Sequence, residues 1–426
     1  MPSSWSAQTP LSFRYVAQVR LMLSTVGSWP HARAPLGRPA PALHAALALL
    51  NLASILILCT VIVLGLIYLK EYRDDISFFV SGHIFLCAVF HMQCVVRMSL
   101  ARTKKYHEII RDWLLEFHLF HFKNRSDYAA KIHKQVHITS GVITLYVMCQ
   151  MASGCSLFVF MPWYNNYRRG LFRAAAAAAG AALPANASFE HAGYYYLPDK
   201  YYTTLHGYWC LFAFNCYTSY VSTIGLFVFD LLLCLMVLQI WGHLKILRHN
   251  LLNMPQPTNT DSGMYSEQEN KQIRYLLKDI IIHHNLIIKF VDRCSDAFSE
   301  YLFMFYLLMQ FITCVLLLEV SSFTADALVK YGPLTVGMHQ QLIQVSILFE
   351  ILNTKSEQLI GAVYATPWER MDRSNRKTVL FLMHKIQSPV SLKAAKMVPV
   401  GVNTMSAVLK TTFSYYMVLK ALAGEQ

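Results

Sequence analysis

The sequence is short of charged residues. Asp, Glu, Lys and Arg make up 14% of its 426 positions, whereas a soluble globular chain carries about 25%. Apolar residues make up 55% of the chain. This balance excludes a typical cytosolic enzyme and a disordered chain, and it predicts a protein that is surrounded mainly by lipid.

Sequence motifs of catalysis and metal binding are absent as well. None of the ten cysteines forms a CxxC pair, so no zinc site or disulfide framework can be inferred, although a bridge between Cys155 and Cys210 stays open. The sequence has no GxSxG, P-loop, GxGxxG or HExxH pattern. We therefore expect no catalytic residues, no cofactor and no bound metal, and the chain is not predicted to be an enzyme.

Histidine is common, but its spacing does not match a metal site. The 17 histidines include one HxxxH pair, His133 and His137, and no HxxHH box. Membrane di-iron desaturases and hydroxylases need several such boxes. We therefore interpret these histidines as surface residues near lipid headgroups, and a di-iron lipid enzyme is kept only as an alternative.

Seven segments are long and apolar enough to cross a bilayer, which takes about 20 residues in a helix. The first is too long, and lies too far from Met1, for a signal peptide. The seventh is the least apolar, because Lys410 interrupts it. The predicted spans are 42–69, 76–96, 138–167, 201–241, 301–318, 331–363 and 397–419.

Basic residues in the connections set the predicted orientation. The N-terminal tail and the second, fourth and sixth loops together carry 26 Lys and Arg. The first, third and fifth loops and the C-terminal end together carry eight. Since basic residues favour the cytoplasmic side, the N-terminus is predicted to be cytoplasmic and the C-terminus extracellular. The glycosylation sequon at Asn186 is then usable, and the one at Asn124 is silent. Topology explains the basic residues, so no nucleic-acid partner is expected.

The predicted fold class is an all-α membrane protein with seven transmembrane helices that continue into a cytoplasmic anchor domain. Segments 271–298 and 372–387 supply this anchor, because each has one apolar helical face. The predicted parts are a cytoplasmic N-terminal segment (1–41), six transmembrane helices with an extracellular loop and a cytoplasmic loop with helices (42–363, loops 168–206 and 242–298), an anchor helix (364–397), a seventh transmembrane helix (398–420) and an extracellular tail (421–426).

Two features near the cytoplasmic side carry further expectations. The segment with Phe13, Val16 and Val19 is amphipathic and is expected to lie on the membrane face. Asp230 lies near the inner end of the fourth span, where an ionisable residue is costly. We expect it to face water or to pair locally with the charged group 350–357.

The outer halves of the second, third, fourth and sixth spans are rich in aromatic residues and methionine. A mostly apolar cavity with a few hydrogen-bonding groups suits a small hydrophobic volatile or a lipid-like ligand, although most such side chains simply pack or face lipid. The candidate ligand-binding residues are Phe79, His83, Met151, Phe158, Trp209, Phe212, Tyr217, Tyr220, Gln340 and Gln344.

The seventh span carries a polar stripe at alternating steps of four and three residues. Such a stripe with a short apolar end is what a water-lined pore with a hydrophobic gate requires, and a helix buried at a protein interface shows the same pattern. The stripe consists of Asn403, Ala407, Lys410, Ser414, Met417 and Ala421, with Val418 beside it.

The C-terminal fifth contains a more specific pattern. It runs from Tyr364-Ala-Thr-Pro-Trp-Glu369 through Asn375-Arg-Lys377 and Pro389-Val-Ser-Leu-Lys393 to Thr412-Phe-Ser-Tyr-Tyr416. In these residues the sequence resembles an insect odorant receptor. Residues 389–419 are most similar to the moth pheromone-receptor branch.

The resemblance implies a receptor subunit that assembles with a shared co-receptor subunit into a heterotetramer. The complex is then a ligand-gated, non-selective cation channel in the plasma membrane of a sensory-neuron dendrite. The last helix of each subunit lines the pore, the cytoplasmic helices hold the subunits together, and the odorant binds in the outer half of the bundle. The candidate pore and gate residues are Asn403, Lys410, Ser414, Val418 and Ala421.

Ala421 departs from the family pattern, because this position is often Gln in the receptors that the sequence resembles. The departure suits a co-receptor that supplies part of the filter. The prediction is therefore a tuning subunit for a long-chain pheromone component. The alternatives are a gustatory-type receptor channel of the same superfamily and a membrane-bound di-iron desaturase or hydroxylase.

Overall fold

Twelve α-helices and one small hairpin make up the described part of the chain. The structure, a computed structural model, describes residues 9–30, 41–177, 183–184, 187–258, 263–321, 325–388, 390–395 and 398–424. The helices are α1 (Arg14–Thr25), α2 (Pro41–Glu71), α3 (Phe78–Leu100), α4 (Lys104–Asp112), α5 (Asp127–Arg168), α6 (Leu171–Ala177), α7 (Lys200–Thr203), α8 (Leu205–Leu252), α9 (Glu267–Val320), α10 (Ala325–Tyr364), α11 (Arg373–Ile386) and α12 (Val402–Gly424). Strands β1 (Lys393–Ala394) and β2 (Val398–Pro399) pair antiparallel between α11 and α12.

Polar side chains fix the points at which several long helices begin. Ser77, Ser126 and Thr204 cap α3, α5 and α8, each accepting a hydrogen bond from the backbone N–H three residues ahead. Asp372 caps α11 and accepts from the N–H of Asn375 at 2.7 Å. Each cap satisfies an N–H that the helix itself leaves unpaired, so the sequence defines these boundaries locally.

Five helices are long and apolar enough to cross a membrane, namely α2, α3, α5, α8 and α9. They cover the first five predicted spans. The chain is also helical where the sixth and seventh spans are predicted, in α10 and α12. Over their described residues, α10 and α12 do not form a stretch as long and apolar as those five helices do, because they carry amide, carboxylate and lysine side chains. The helical membrane fold is confirmed, whereas the count of seven spans and their orientation stay predictions.

Helix α8 lies at the centre of the bundle. In its most apolar stretch 83% of the residues are buried, compared with 28% in α2 and 22% in α5. A soluble protein rarely leaves so much apolar helix surface in water. The outer faces of α2 and α5 are therefore the surfaces that lipid is expected to cover.

The N-terminal half of α9, where the sequence predicts part of the anchor, packs against the rest of the bundle. Its apolar face, formed by Ile273, Leu277, Ile280, Ile287 and Val291, is buried throughout. This face belongs to the same core cluster as residues of α8, α10 and α11. These parts of α9 and α11 thus share one core with the apolar helices rather than forming a separate core.

The N-terminal helix α1 does not lie on the membrane face. Val16 and Val19 are completely buried in the main core, and the Tyr15 hydroxyl is 2.9 Å from Nε2 of His118. The prediction of a surface helix is wrong because its apolar stripe packs against protein, and a stripe of that kind cannot reveal which apolar surface it meets.

Candidate functional site

Helices α3, α5 and α10 bring three aromatic rings together. The His83 imidazole stacks on Phe158 with ring centroids 5.7 Å apart, and it lies 6.3 Å from the ring of Tyr331. His83 and Phe158 are two of the candidate ligand-binding residues. Tyr331 is not among the candidates, because it stands at the start of a predicted span, where tyrosine is common for interfacial reasons alone.

The segment 187–197 covers this group from the predicted extracellular side. Nε2 of His83 donates to the carbonyl of Ala192 at 2.9 Å. The Tyr195 hydroxyl donates to Oδ1 of Asn215 in α8 at 2.9 Å, and the N–H of Tyr196 donates to the carbonyl of Leu64 in α2 at 3.0 Å. These bonds tie the segment to three helices, so it is part of the site.

Asn215 has a buried amide donor that no protein group satisfies. Its Nδ2 has no hydrogen-bond partner among the described residues, and the residue is fully buried. An unpaired buried donor costs about 1–3 kcal/mol. The amide lies beside Gly193 and Tyr195, so a ligand oxygen or a water near the covering segment would satisfy it. A lone amide in an otherwise apolar span was the signal that could have identified it.

The covering segment also holds a buried, neutral histidine. The ring of His191 packs against Tyr202 and Tyr208 at centroid distances of 5.4 and 5.0 Å. Burial lowers the pKa of His191 to about 4. This side chain is therefore uncharged at neutral pH and can pack as an aromatic ring.

The other aromatic candidates on α8 contact different neighbours. Trp209 and Phe212 pack on each other, with centroids 5.6 Å apart. The hydroxyl of Tyr217 is 3.4 Å from that of Ser54 in α2. Tyr220 donates to the hydroxyl of Thr25 in α1 at 2.9 Å. The structure therefore joins Tyr217 and Tyr220 to the peripheral helices instead of to the rings of His83 and Phe158.

The remaining candidates are distributed through the bundle. Met151 is buried in the main core. Gln340 donates a hydrogen bond to the Tyr146 hydroxyl of α5, and Gln344 is half-buried one turn further along α10. The backbone of Phe79 belongs to α3, but its side chain lies outside the described part of the structure, as does Asn186.

All ten cysteines are free. The bridge between Cys155 and Cys210 that the sequence left open is therefore not formed. Sγ of Cys210 instead lies 3.8 Å from Nε2 of His206 in the same helix.

Asp230 forms an ion pair between helices rather than a local pair. The guanidinium of Arg97 in α3 lies 3.3 Å from the Asp230 carboxylate, and both residues are buried. Tyr301 of α9 and Gln341 of α10 also donate hydrogen bonds to this carboxylate. The expectation for Asp230 is wrong because its charged partner is Arg97, which directly follows the second predicted span, and not the group 350–357.

Helix α10 holds the N-terminus of α12. Oε2 of Glu350 accepts from the N–H of Val402 at 3.1 Å, and Nδ2 of Asn353 donates to the carbonyl of Val400 at 3.2 Å. A Cβ atom on Gly401 would lie 2.5 Å from the same Glu350 oxygen. A carboxylate at this position also complements the positive end of the helix dipole.

The polar stripe of α12 faces away from the rest of the described chain. Val408 and Thr412 are buried on the opposite side, and the Thr412 hydroxyl is 3.2 Å from that of Thr313 in α9. All six stripe residues are exposed in the described structure, and Val418 beside them is 57% exposed. The candidate pore residues Asn403, Lys410, Ser414, Val418 and Ala421 thus share a surface that no other described residues of the chain cover.

The histidines between 118 and 137 pack with aromatic residues. Nδ1 of His118 accepts from the N–H of Phe120 at 3.1 Å, and burial lowers the pKa of His118 to about 3. No three His, Cys, Asp or Glu side chains in the described ranges are placed to hold a metal ion. The HxxxH pair is part of this packing, with the His133 and His137 rings 6.3 Å apart.

Comparison with known sequences identifies similar proteins. The family model described as 7tm odorant receptor matches residues 79–413. Odorant receptor 67c of Drosophila melanogaster is 22% identical over 213 residues, which are 50% of each chain. Odorant receptor 85b of the same organism is 22% identical over 228 residues, 53% of this chain and 56% of that one. The chain thus spans about half the length of the curated relatives that it matches.

Comparison with solved structures gives a match along almost the whole chain. The insect olfactory receptor OR5 from Machilis hrabei superposes with a TM-score of 0.75 at 14% identity, covering 95% of this chain and 97% of that one. The same receptor in complex with eugenol gives a TM-score of 0.74 at 14% identity, with coverages of 96% and 98%. At this identity the likeness shows a shared fold.

Proposed function

The chain belongs to the 7tm odorant receptor family, and we propose that it binds a small hydrophobic volatile in the outer half of its bundle and, with a co-receptor subunit, gates a non-selective cation channel. The observation that supports ligand binding is the group of His83, Phe158 and Tyr331 beneath the segment 187–197. Mostly apolar walls with a few directed polar atoms are typical of sites for small molecules. The related fold of OR5 has been solved with eugenol, which is consistent with a volatile ligand.

The ligand class that we propose is a long-chain pheromone component with one oxygen function. The grouped side chains of His83, Phe158 and Tyr331 are aromatic, and the unpaired Nδ2 of Asn215 offers a buried donor. Such a donor fits the carbonyl of an acetate or aldehyde, or an alcohol oxygen. The resemblance of residues 389–419 to moth pheromone receptors supports the same ligand class.

The proposed pore is assembled from the uncovered stripe of α12. One subunit leaves this polar surface exposed, and copies arranged around a common axis would cover it and enclose water. Val418 is the proposed gate, and the co-receptor supplies the filter position that Ala421 lacks. Plasma-membrane location in a sensory dendrite follows from this role.

Helix α10 is the proposed link between ligand and pore. Tyr331 lies at its outer end and Glu350 at the junction with α12, about 28 Å apart at the rise of an α-helix. A ligand that binds one position of α10 more tightly than another would change the population of the open pore, because it shifts the equilibrium by its differential affinity.

The test of this function is ionic current in cells that express the chain, the co-receptor, or both. We expect long-chain acetates, aldehydes or alcohols to evoke a cation current only when both subunits are present. Phe158→Ala should raise the half-maximal ligand concentration by about 10- to 150-fold, because burying one aromatic side chain contributes about 1.5–3 kcal/mol.

Leu157→Ala is the matched control, since Leu157 is exposed on the next position of the same helix. Its ligand response should stay at the wild-type level. An equal shift in both variants would contradict the proposed pocket. A ligand-evoked current without the co-receptor would contradict the proposed assembly, and silence of a surface-expressed pair across the panel would overturn the pheromone assignment.

The junction between α10 and α12 gives a second functional prediction. Glu350→Ala removes the carboxylate that accepts from Val402, and loss of a helix-capping acceptor costs about 0.5–2 kcal/mol. We expect a change of about 2- to 30-fold in the half-maximal ligand concentration or in basal current. The control is Glu357→Ala, an exposed acid two turns further along α10. Wild-type gating in Glu350→Ala would show that this contact does not take part in coupling.

A further inference from the structure

A cleft of about 100 Å³ opens where α5, α8 and α10 approach one another at their cytoplasmic ends. None of its lining residues belongs to the proposed ligand pocket or to the pore stripe. The polar and aromatic residues that line it are Tyr128, Lys245, Arg248, His249, Lys355 and Gln358.

The lining of this cleft is strongly basic. Lys245, Arg248 and Lys355 contribute three positive charges, and no carboxylate is among the lining residues. None of the three cations belongs to an ion pair within the described chain. The charged groups that act on Lys245 are Lys355 and Lys131, which are both cationic. The cleft therefore lacks a counter-charge from the protein.

Neighbouring contacts hold the lining side chains in position. Nζ of Lys245 lies 4.2 Å from the Trp241 ring centroid, and Nζ of Lys355 donates to Oε1 of Gln358 at 3.0 Å. Tyr128 stacks on His249 with centroids 3.7 Å apart. Nδ2 of Asn253 is 3.0 Å from Nδ1 of His249; since the amide nitrogen can only donate, His249 keeps its proton on Nε2 and offers a further donor.

The cleft lies at the predicted level of the lipid headgroups. Trp241 ends the apolar run of α8, and tryptophan prefers the interface between membrane and water. Lys245 follows about one helical turn later. This depth rests on the predicted orientation, in which the inner end of α8 is cytoplasmic.

General topology does not account for this arrangement. Basic residues favour the cytoplasmic side, and Arg248 also complements the carbonyl end of α8. Both effects act on a basic residue whichever way its side chain points. Neither explains why three cations from two helices converge on one cleft without an acid.

We propose that this cleft binds the phosphorylated inositol headgroup of a lipid in the cytoplasmic leaflet. Several fixed cations match a headgroup with more than one phosphate better than they match a lipid of single charge, and basic pockets between helices on this side of a membrane suit such headgroups. Lys355 is five residues from Glu350 on α10. A bound headgroup would therefore hold the helix that contacts the N-terminus of α12.

The test is binding of a short-chain phosphatidylinositol bisphosphate to the purified full chain in detergent or nanodiscs. The double variant Lys245→Gln/Lys355→Gln should bind about 30-fold more weakly, since each basic residue near a membrane surface contributes about fivefold. The matched control is Lys278→Gln/Lys377→Gln, which removes the same charge from exposed positions outside the cleft. Size-exclusion profiles of all three proteins should coincide.

The control arms separate the cleft from diffuse electrostatics and the lipid from a soluble phosphate. Equal weakening in both double variants, or no binding by the wild-type chain, would overturn the site. Inositol trisphosphate should compete at least tenfold more weakly than the short-chain lipid. Equal competition would overturn the lipid assignment, because the cleft would then recognise a free inositol phosphate.

Discussion

Replacing Asp230 with leucine is expected to remove most of the folded protein from the cell surface. The substitution leaves the Arg97 guanidinium buried between α3 and α8 without its counter-charge. Breaking a buried pair by removing one partner costs about 3–5 kcal/mol, against a total stability of about 5–15 kcal/mol for a typical domain. The expected result is a lower unfolding temperature of the detergent-solubilised chain, together with reduced surface labelling.

The double variant Arg97→Met/Asp230→Leu is the informative control. It removes both charges and keeps much of the apolar volume, so it should recover part of the stability that the single variant loses. Asp230→Asn should lie between wild type and Asp230→Leu, because its one amide oxygen can still accept from Tyr301 or from Gln341. If Asp230→Leu melts at the wild-type temperature, the charge pair does not organise these helices.

The second large effect is expected for Gly27→Ala. Gly27 has a φ of 65°, and a Cβ atom there would lie 2.1 Å from the carbonyl oxygen of Leu47 and 2.9 Å from the backbone nitrogen of Asn51. Both are backbone atoms of α2, which cannot move aside without shifting the helix. We expect α1 to detach from its site on the bundle, which thermal unfolding and limited proteolysis near residue 30 would detect.

Gly170→Ala separates the strain of a positive φ from the clash with a neighbouring helix. Gly170 has a similar φ of 70°, but no atom lies within 4 Å of the position of an added Cβ. It should therefore show only the backbone strain of a left-handed residue, about 1 kcal/mol. Equal destabilisation in Gly27→Ala and Gly170→Ala would mean that the close approach of α1 to α2 has no energetic role.

The sequence alone predicted the helical elements well, because their determinants are local. Apolar runs marked the spans, and the 3.6-residue period marked the buried face of α9 from Ile273 to Val291. The apolar face of segment 372–387 marked α11 in the same way. The stripe on α12 was predicted in the same way, and the structure places it on one uncovered surface. Such patterns require no knowledge of distant parts of the chain.

The contacts that organise the site are not local, and the sequence did not reveal them. Arg97 and Asp230 are separated by many residues, and each alone resembles the polar end of a span. His83 reaches Ala192 in a loop whose path no periodicity describes. Helix α1 has the same amphipathic pattern whether it meets lipid or protein. In each case the partner, which only the tertiary structure supplies, decides the role of the residue.

The uninterrupted length of helix α9 has a mechanical consequence for the whole chain. Its 54 residues include neither proline nor glycine, and at the rise of an α-helix they extend about 81 Å. A rod of this length transmits rotation better than it absorbs it, since sharp bends in helices arise at proline, glycine or inserted groups. Pivoting about its middle by about one degree moves each end by about 0.7 Å. A displacement at one end of α9 therefore moves its other end by a similar distance in the opposite direction.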